Sequence, residues 1–523
     1  MRSLTDITDY REALAVYSKE HLWALFDGDR SSLNIGHECV DRHSQDRLAV
    51  HIIDAAGDDE QYTFGEIASW SNRFANYLRA AGIGPGATVA IMLEPSLVFY
   101  ASLFGAMKAG CVAVPLFTLF GPDGIKLRLD DCAPALFLAS PAHALLGEEA
   151  AGRKTVPVDG AFMAELRAQS SGYEPDTSAA DMAMYQYTSG TTRELPEAIQ
   201  HRHRAIVTVM LAALYGTGVR PGDHLCCPSS PAWGHGLWHG TLAPLALGAS
   251  ISSYRGKFDP VRLLEALEHF DINNLSAAAT HYRMLRQCPR AGEFTHNLQK
   301  LSFTGEPIDS ETATWVSAHF GKPACSIYGT TEVGVILVSY PGAADFVVKP
   351  GALGKPVPGL EVAVIDPEGE PTKPGQRGEI VVRRGDDWFK TKDVGYTDED
   401  GYFYHAGRAD DVIISAGYTM SAVEIEDVLL KHPQVDEVAV IASPNADRGH
   451  IPKAFVVSAR EGDARFIEEL QVLAQKRLSR HEYPRAVAFV DALPKLPAGK
   501  INRKALRERE AGMTGRKQKE QDA

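Results

Sequence analysis

The fold is decided early in the chain by a stretch that reads, from Tyr62 to Ala113, YTFGEIASWSNRFANYLRAAGIGPGATVAIMLEPSLVFYASLFGAMKAGCVA. An amphipathic helical period from Phe64 to Ala81 is followed by a Gly/Pro-rich turn and a short β-branched run, Thr88 to Met92. A second helical period runs through Lys108 and is closed by Gly110. This alternation of short strands and helices predicts βαβ units and a largely parallel, buried sheet.

The same alternation continues through Gly321 and then changes twice. Gly/Pro-rich segments with alternating strands, such as Gly378 to Val382, predict a smaller β-rich part. From Val412 a fresh pattern predicts a compact α/β domain with helices at Ala422 to Lys431 and Ala464 to Leu478. The strands predicted for this domain run from Val435 to Ala442, from Ala454 to Val457 and from Val487 to Val490.

Composition excludes several classes of protein. The 523 residues are 45% hydrophobic and 23% charged, a soluble globular composition in a chain too long for one hydrophobic core. A net charge of -14 argues against binding to nucleic acid or to an anionic membrane surface. The seven cysteines lack CxxC spacing, which predicts reduced thiols in a cytoplasmic protein rather than disulfides or a zinc site. We expect no membrane association, since no apolar run is long enough to span a bilayer.

Two distant segments predict a split phosphate site. The first is a hydroxyl-rich loop, Tyr187-Thr188-Ser189-Gly190-Thr191-Thr192, and the second is a Pro/Gly-framed loop, Leu493-Pro494-Lys495-Leu496-Pro497-Ala498-Gly499-Lys500. Small hydroxyl residues and a glycine let backbone N–H and side-chain O–H groups close around phosphate oxygens. Lys500, arriving from elsewhere in the chain, would then meet negative charge that develops in a transition state.

These loops belong to a set of six motifs. The set comprises the hydroxyl loop, Thr304-Gly305-Glu306-Pro307, Tyr328-Gly329-Thr330-Thr331-Glu332, Phe389-Lys390-Thr391-Lys392-Asp393, Gly407-Arg408-Ala409-Asp410-Asp411 and Pro497-Ala498-Gly499-Lys500-Ile501. In this order and spacing the chain resembles, over nearly its whole length, the adenylate-forming superfamily of acyl-CoA synthetases, non-ribosomal adenylation domains and luciferases. It is most similar to acetyl- and medium-chain acyl-CoA synthetases, through Ala106-Met107-Lys108-Ala109-Gly110, Lys257-Phe258-Asp259-Pro260 and His281-Tyr282-Arg283-Met284-Leu285.

The resemblance implies an α/β fold with two domains. The large N-terminal domain, residues 1–409, would consist of doubly wound layers plus a small β-barrel-like part. A smaller, mobile α/β domain would follow over residues 410–506, and the charged residues 507–523 would form a disordered tail. The implied activity is an ATP- and Mg²⁺-dependent ligase that makes an acyl-adenylate and then an acyl-CoA thioester. Its partners would be a small carboxylic acid, ATP and coenzyme A, with no nucleic acid or membrane, in a monomer or homodimer.

Attack of a carboxylate on the α-phosphorus of ATP brings two anions together, so the site must supply positive charge and a metal rather than a strong base. By resemblance, Lys500 supplies the charge and Glu332 holds Mg²⁺. The alternatives are a solvated surface lysine and a carboxylate that merely starts a helix.

The resemblance also assigns residues to the nucleotide. Asp393 would accept hydrogen bonds from both ribose hydroxyls, its alternative being a loop aspartate in an Asx-turn. Arg408 would contact ribose or phosphate, or else form an interdomain ion pair. The glycine of the 304–307 motif would let the backbone approach the adenine ring, which Tyr328 could cover. The other residues predicted to bind the nucleotide are Thr188, Ser189, Gly190, Thr191, Thr192, Arg193, Gly305, Glu306, Pro307, Gly329, Thr330 and Thr331.

For the thioester step, the resemblance places coenzyme A against Gly417, where pantetheine would pass a backbone without a Cβ; the alternative is a simple turn glycine. Asp410 matches the hinge about which the small domain would rotate between an adenylating and a thioester-forming pose.

The acid itself is expected near the segment Ser230-Pro231-Ala232-Trp233-Gly234-His235-Gly236-Leu237-Trp238, where relatives line the acyl pocket. Trp233 and His235 are candidate walls, although the pair could equally be hydrophobic core with a satisfied imidazole. The small residues Ala279 and Gly329 would leave volume for a medium-chain, branched or aromatic monocarboxylate rather than acetate.

The chain departs from the family pattern at three places. The hydroxyl loop continues with Arg193 and Glu197 where relatives carry a glycine and a lysine, so Arg193 is a candidate for the missing phosphate contact. Lys392 stands where a glycine is usual. Thr419 stands where medium-chain members commonly carry an arginine.

Other interpretations stay open from the sequence alone. The adenylate could be delivered to an amine or a carrier-protein thiol, or the altered loop could mark a nucleotide-binding regulatory protein without catalysis. The basic run His201-Arg202-His203-Arg204 is predicted to be a solvated patch at a helix start rather than a metal or nucleic-acid site.

Overall fold

The computed structural model describes residues 2–151, 155–187, 198–330, 333–408, 412–415, 418–445, 449–478, 483–496 and 500–510. The chain divides into two compact units. The first comprises residues 1–306, 315–348 and 357–359, and the second comprises residues 307–314, 349–356 and 360–523. Within the described residues, every helix is too short or too polar to span a bilayer.

Helices and strands alternate through most of the chain. The α-helices are α1 Tyr10–Val16, α2 Lys19–Trp23, α3 Phe64–Ala80, α4 Leu97–Lys108, α5 Pro122–Cys132, α6 Pro141–Ala151, α7 Gly160–Ala168, α8 Ala205–Ala212, α9 Ala243–Ala246, α10 Pro260–His269, α11 Ala279–Gln287, α12 Ser310–Phe320, α13 Ala422–Leu429 and α14 Ala464–Arg477. Shorter 3₁₀ turns lie at Leu4–Asp6 and Ala291–Glu293, and wide π-helical segments lie at His37–Asp41, Ala213–Thr217 and His235–Leu242.

The strands of the first unit are β1 Leu48–Asp54, β2 Glu60–Thr63, β3 Thr88–Met92, β4 Val112–Pro115, β5 Leu136–Ala139, β6 Thr155–Pro157, β7 Met182–Gln186, β8 Ile199–Arg202, β9 His224–Cys227, β10 Ser250–Arg255, β11 Asn274–Ala278, β12 Lys300–Thr304, β13 Cys325–Thr330 and β14 Gly334–Val338. Those of the second unit are β15 Ala352–Pro356, β16 Val362–Ile365, β17 Gly378–Arg384, β18 Asp387–Thr397, β19 Phe403–Arg408, β20 Val412–Ser415, β21 Tyr418–Ser421, β22 Glu437–Asn445, β23 Gly449–Val457 and β24 Ala486–Phe489.

Two sheets organise the first unit. One has the strand order β14-β13-β12-β11-β9-β10-β1-β2, and its six inner strands run parallel while the two edge strands pair antiparallel. The other has the order β6-β5-β3-β4-β7-β8 and is parallel except for its last pair. The predicted, largely parallel α/β fold is therefore confirmed.

The bounds of the early elements follow from local chemistry. Thr63 and Glu66 form a reciprocal capping box that starts α3, and the Ser96 hydroxyl accepts the Phe99 N–H at the start of α4. Gly110 follows α4 with φ +69°, a conformation that glycine adopts without a steric penalty. The helix predicted from Phe64 and the strand predicted at Thr88 to Met92 are both confirmed.

A buried lysine ties three elements of this unit together. Lys108, at the end of α4, is fully buried, and its Nζ donates to Asp41 Oδ1 at 2.6 Å, Ser71 Oγ at 2.8 Å and Asn72 Oδ1 at 2.8 Å. Burial lowers the pKa of Lys108 and raises that of Asp41, while their attraction opposes both shifts. All three donors of the ammonium group are satisfied, as a charge in this position requires.

The second unit contains an antiparallel sheet of order β16-β17-β18-β19-β15 and a second sheet of order β21-β20-β23-β22, in which β24 runs parallel to β23. Helices α13 and α14 pack their apolar faces on the second sheet around a core that includes Ile425, Leu429, Phe466 and Leu470. The α/β pattern predicted from Val412 is confirmed, with bounds shifted by a few residues at the helix and strand ends.

The predicted tail begins too early. Residues 503–510 are helical, and the Asn502 side chain accepts the Ala505 N–H at the start of this turn. Leu506 is buried, and the buried Glu510 carboxylate accepts from Ser443 Oγ at 2.8 Å and Lys453 Nζ at 2.6 Å. A charged segment is held here because one apolar side chain and one carboxylate find partners on the sheet, which charge composition does not reveal.

A bulge in β18 generates a stability prediction. Lys392 has φ +64°, where an L-residue with a Cβ is disfavoured by about 1–2 kcal/mol, and its side chain is exposed. We expect Lys392→Gly to raise the free energy of unfolding by about 0.5–1 kcal/mol, because the relief exceeds the extra backbone entropy of glycine. Urea unfolding followed by intrinsic fluorescence measures the change.

The matched control is Lys390→Gly, two residues earlier on the same strand, where φ is ordinary and the side chain is again exposed. In this variant the free energy of unfolding should fall by about 0.5–1 kcal/mol, since glycine there only adds entropy to the unfolded chain. Equal losses in the two variants would contradict the strain assigned to Lys392.

Candidate active site

Four neighbouring parallel strands of the eight-stranded sheet lead into the motifs that the sequence singles out. Strand β9 precedes the 230–238 segment, β11 precedes Ala279, β12 ends at Thr304, and β13 carries Tyr328 to Thr330. Parallel neighbours end at the same edge of a sheet, and ligands of open α/β sheets bind at that edge. Segments separated by up to about a hundred residues in the chain are therefore gathered at one place.

Glu306 is anchored within this edge. Its Oε1 accepts from Thr280 Oγ1 at 2.6 Å and from Arg283 Nη2 at 2.9 Å, both on α11. Gly305, directly before it, has φ +97°, so the chain turns sharply as it leaves β12. These contacts fix residues 304–306 against α11. The first residue of that helix, Ala279, is fully buried. Pro307 begins the second unit.

His235 lies inside the structure with both ring nitrogens engaged. Its Nδ1 is 3.0 Å from Ser229 Oγ, and its Nε2 is 2.9 Å from Ser276 Oγ on β11. The Ser302 hydroxyl on β12 donates in turn to Ser276 Oγ at 2.9 Å. These hydrogen bonds thus connect the segment after β9 with strands β11 and β12. Trp233 packs edge-on to the imidazole, with ring centroids 5.5 Å apart.

Gly329 is explained by strand packing. A Cβ at this position would overlap the carbonyl oxygen of Gly334 and come within 2.7 Å of the Val335 Cα, because β13 and β14 pair there with a register shift. The absence of a side chain is therefore required by the backbone of the hairpin. The neighbouring Thr330 has a hydroxyl oxygen that is shielded from solvent and has no hydrogen-bond partner among the described residues.

The hydroxyl loop connects two paired strands. Strands β7 and β8, which lie on either side of the loop in the sequence, are antiparallel neighbours, with Gln186 opposite Ile199. At its start, the Tyr187 hydroxyl donates to Asp131 Oδ2 at 2.6 Å, and burial together with that carboxylate raises the pKa of Tyr187. The base of the loop is thus fixed by buried contacts.

Asp393 is positioned by the same bulge that strains Lys392. Between the pairs Val381↔Lys390 and Glu379↔Val394, strand β18 contains extra residues. The Thr391 hydroxyl donates to the Ile380 carbonyl at 2.7 Å and accepts the Asp393 N–H at 3.2 Å. The Asp393 side chain is buried, its Oδ1 lies 3.6 Å from His405 Nε2, and its Cα pairs with that of Arg408 on β19.

The backbone around Lys500 is held by hydrogen bonds to the segment that ends at Leu496. Lys495 and Ile501 form an antiparallel bridge, and the Lys500 carbonyl accepts the Leu496 N–H at 2.7 Å. Leu493 and Leu506, on either side of the loop, are buried in one apolar cluster with residues of β22 and β23. The loop is therefore fixed at both ends, while the Lys500 side chain is half-exposed.

Several predicted site residues lie outside the described residues. They are Thr188, Ser189, Gly190, Thr191, Thr192, Arg193, Thr331, Glu332, Asp410 and Gly417, together with the side chain of Arg408. The predicted magnesium ligand, Glu332, belongs to this group. Among the described residues, no three His, Cys, Asp or Glu side chains cluster in a way that could hold a metal.

The basic run at 201–204 is not a solvated patch throughout. His203 is buried, and its Nδ1 accepts the Ile35 N–H at 3.0 Å. His201 packs on Trp238 with ring centroids 4.8 Å apart, and burial lowers the pKa of both histidines to about 4. Only Arg202 and Arg204 are exposed among these four residues. The prediction is wrong for the histidines. His201 lies on β8, where alternate side chains turn toward the interior, and His203 is buried directly after the strand ends.

Sequence reasoning did not single out Gln186, which contacts the segment expected to line the acyl pocket. This buried side chain accepts from Trp238 Nε1 at 2.9 Å, and its Nε2 lies 2.6 Å from where a Cβ of Gly234 would stand. It joins the six-stranded sheet to the π-helical segment that follows β9. A single glutamine at a strand end carries no motif that could have identified it.

Comparisons with known proteins agree on one family. The family profile described as AMP-binding enzyme matches residues 37–390, and the AMP-binding enzyme C-terminal domain matches residues 424–500. The chain is 30% identical to acetyl-coenzyme A synthetase of Bacillus subtilis (strain 168), over 91% of this chain and 90% of that protein. It is 32% identical to 3-hydroxybenzoate–CoA ligase of Aromatoleum sp. (strain CIB), over 86% of this chain and 92% of that protein.

The fold agrees as well. The crystal structure of an acyl-CoA synthetase from Brucella canis superposes with a TM-score of 0.75 at 30% identity, covering 97% of this chain and 100% of that one. The resemblance inferred from the six motifs is confirmed. The chain therefore belongs to the AMP-binding enzyme family, as an AMP-forming acyl-CoA synthetase.

Proposed function

We propose that this ligase activates a monocarboxylic acid larger than acetate, of medium-chain, branched or aromatic type, and joins it to coenzyme A through an acyl-adenylate. The observation that supports this most directly is the meeting of the 230–238 segment, Ala279 and residues 304–306 at one edge of the sheet. Ala278 and Ala279 contribute only methyl groups there, which leaves more room than bulky side chains would. Gly329 adds nothing to this argument, since the hairpin backbone already requires it.

The first half-reaction joins two anions, and the residues proposed for it reduce their repulsion. Lys500 would approach the α-phosphate as its charge increases, and Asp393 would hold the ribose through its two hydroxyl groups. Mg²⁺, when bound, neutralises phosphate charge, and Glu332 is the candidate ligand in a site completed by phosphate oxygens and water. Arg193 and Arg408 are candidates for further phosphate or ribose contacts.

The second half-reaction needs access for a thiol. We assign the adenylating domain to residues 1–409 and the smaller domain to residues 410–506, with Asp410 as the pivot between two poses. Gly417 would lie beside the pantetheine arm, where a side chain would obstruct it. Delivery to an amine or a carrier protein is the alternative outcome of the product analysis below.

The proposal predicts acid-dependent release of pyrophosphate from ATP. Across a panel from acetate to octanoate, isobutyrate and benzoate, we expect at least one larger acid to exceed acetate about tenfold or more in kcat/KM, because one or two buried methylene groups already contribute that much. Mass spectrometry identifies the product as AMP and an acyl-CoA. A panel in which no acid raises pyrophosphate release above background would overturn the catalytic assignment. Amide or acyl-carrier-protein products would show that the acceptor is an amine or a carrier protein instead of coenzyme A.

Removing the lysine proposed for the first step should separate the two half-reactions. We expect Lys500→Ala to slow acyl-adenylate formation about 100-fold or more, the scale for losing a donor aimed at a transition state. Thioester formation from supplied acyl-adenylate should persist, as measured by thiol consumption. Lys495→Ala is the matched control, since that exposed lysine only pairs with Glu437 at 2.9 Å on the surface. Equal losses in both half-reactions would show that Lys500 is not confined to adenylation.

The assignment of Asp393 to the ribose is tested by comparing one variant on ATP and on 2′-deoxy-ATP. Asp393→Asn keeps one acceptor oxygen but loses the second, so we expect the KM for ATP to rise about tenfold. With 2′-deoxy-ATP, which lacks one hydroxyl, the same substitution should have a clearly smaller effect, as a coupled pair requires. Identical effects on the two nucleotides would remove Asp393 from the ribose site.

A further inference from the structure

Helix α13 uses two acidic side chains outside its own α/β domain. Its apolar residues, which include Ile425 and Leu429, pack on the sheet β21-β20-β23-β22. Glu424 and Asp427 are three residues apart, and side chains at this spacing share one face of a helix. Both carboxylates bind groups that precede the proposed pivot, Asp410, in the chain. The proposed chemistry makes no use of these contacts.

The first contact is an ion pair. Arg377, directly before β17, donates from Nη2 to Glu424 Oε1 at 2.8 Å and to Glu424 Oε2 at 2.9 Å. The two side chains are 33% and 32% exposed. Burial and the Glu424 carboxylate raise the pKa of Tyr396 on β18, while the Arg377 guanidinium opposes this shift. The pair therefore lies beside the antiparallel sheet that contains β17 and β18.

The second contact is at the start of another helix. Asp427 Oδ1 accepts the backbone N–H of Ser310, the first residue of α12, at 3.0 Å. The first N–H groups of a helix have no partner within the helix, and the helix dipole also favours a carboxylate there. The second oxygen, Asp427 Oδ2, accepts from Lys431 Nζ at 3.0 Å. Ser310, Arg377 and α13 all belong to the second unit.

A third acidic residue of α13 binds differently. Glu426 is buried, its Oε1 accepts the Val440 N–H at 2.7 Å, and its Oε2 accepts from Arg503 Nη2 at 2.5 Å. Both partners follow the pivot in the chain, so a rotation of the small domain carries them along with Glu426. The partners of Glu424 and Asp427 precede the pivot and do not move with them.

The contacts of Glu424 and Asp427 can therefore exist in only one of two poses. The AMP-binding enzyme profile ends at residue 390 and the C-terminal profile begins at residue 424, so Arg377 and Glu424 belong to different family domains. A hydrogen bond is lost once its heavy atoms are about 3.6 Å apart. A rigid-body rotation about Asp410 exceeds this small margin, because α13 begins beyond the pivot.

The strength of these contacts suits a reversible association. A partly exposed ion pair shifts an equilibrium by about two- to fivefold, and a carboxylate at a helix start has a similar effect. A much stronger contact would hold the domain in a single pose, whereas the two half-reactions need both poses.

We propose that the α13 contacts, namely the Arg377–Glu424 ion pair and the hydrogen bond from the Ser310 N–H to Asp427, stabilise one pose of the small domain and so set the balance between the two half-reactions. This inference rests on the proposed function and assigns positioning residues to its pose equilibrium. When the α13 contacts break, the populations of the two poses change. The ratio of the adenylation rate to the rate of thioester formation then changes by the same factor.

The test measures both half-reactions with the full-length protein and the acid that releases pyrophosphate fastest in the panel from acetate to benzoate. Pyrophosphate release without coenzyme A reports adenylation, and thiol consumption from the supplied adenylate of that acid reports thioester formation. Glu424→Gln and Arg377→Gln should each change the ratio of the two rates about two- to fivefold, in the same direction. Asp427→Ala removes the second contact and should shift the ratio in that direction too.

Charge reversal and exchange sharpen the test. Arg377→Glu places two carboxylates together, so we expect the same shift with a magnitude of about fivefold or more. Arg377→Glu combined with Glu424→Arg restores an ion pair, and the ratio should return to within about twofold of wild type. A purely structural role would lower the melting temperature without moving the ratio, so thermal unfolding is measured for every variant. If one variant does not fold, the variant of its partner tests the same contact.

Two matched controls remove ion pairs that do not cross the pivot. Arg383→Gln breaks the pair between Arg383 on β17 and Glu361, whose atoms are 3.6 Å apart. Lys431→Ala removes the lysine partner of Asp427 and leaves the bond to Ser310 in place. Both variants should leave the ratio unchanged.

The outcomes separate this inference from the function on which it rests. An unchanged ratio in Arg377→Glu and Asp427→Ala, with both half-reactions active, would overturn the role of the α13 contacts and leave the ligase intact. Shifts in opposite directions, or a shift that persists in the exchanged pair, would overturn it as well. A wild-type protein that acts on no acid would instead overturn the proposed function.

Discussion

The requirement that parallel strands end at a common edge governs the site of this protein. Strands β9, β11, β12 and β13 are neighbours and run the same way, so the segments that follow them meet although up to about a hundred residues separate them in the chain. Hydrogen bonds then fix the segments to one another. Thr280 and Arg283 hold Glu306. Ser229 and Ser276 hold His235, and the Ser302 hydroxyl donates to Ser276. Segments that are far apart in sequence therefore lie at one edge of this sheet.

Close backbone contact is a second constraint at the same edge. A Cβ at Gly236 would overlap the carbonyl oxygens of Ser229 and Ser230, and one at Gly329 would overlap Gly334. These glycines allow the chain to pack more tightly than any other residue would permit. Small residues near a pocket are therefore of two kinds. Ala279 carries a methyl group and is fully buried, whereas Gly329 is fixed by its own strand partner.

The buried charge of Lys108 in the first unit is fully matched. The Lys108 ammonium group has three acceptors at 2.6 to 2.8 Å, and breaking such a buried pair typically costs about 3–5 kcal/mol. His201 and His239 differ from Lys108, because burial lowers the pKa of each to about 4 and leaves a neutral, polar ring. The contrast separates a structural ion pair that needs nothing more from neutral rings that still have hydrogen-bonding capacity.

The sequence by itself determined the α/β class, the bounds of α3 and β3 and the end of α4 to within a residue, and the family, because side-chain periodicity, helix caps and motif order are local properties of the chain. Tertiary structure alone decided that His203 is buried beside exposed Arg204, that a bulge turns Asp393 inward and strains Lys392, and that Glu510 is held by Ser443 and Lys453. Each of these depends on partners that a sequence does not place, since burial, register and hydrogen bonding are set by residues from other segments that fold against them.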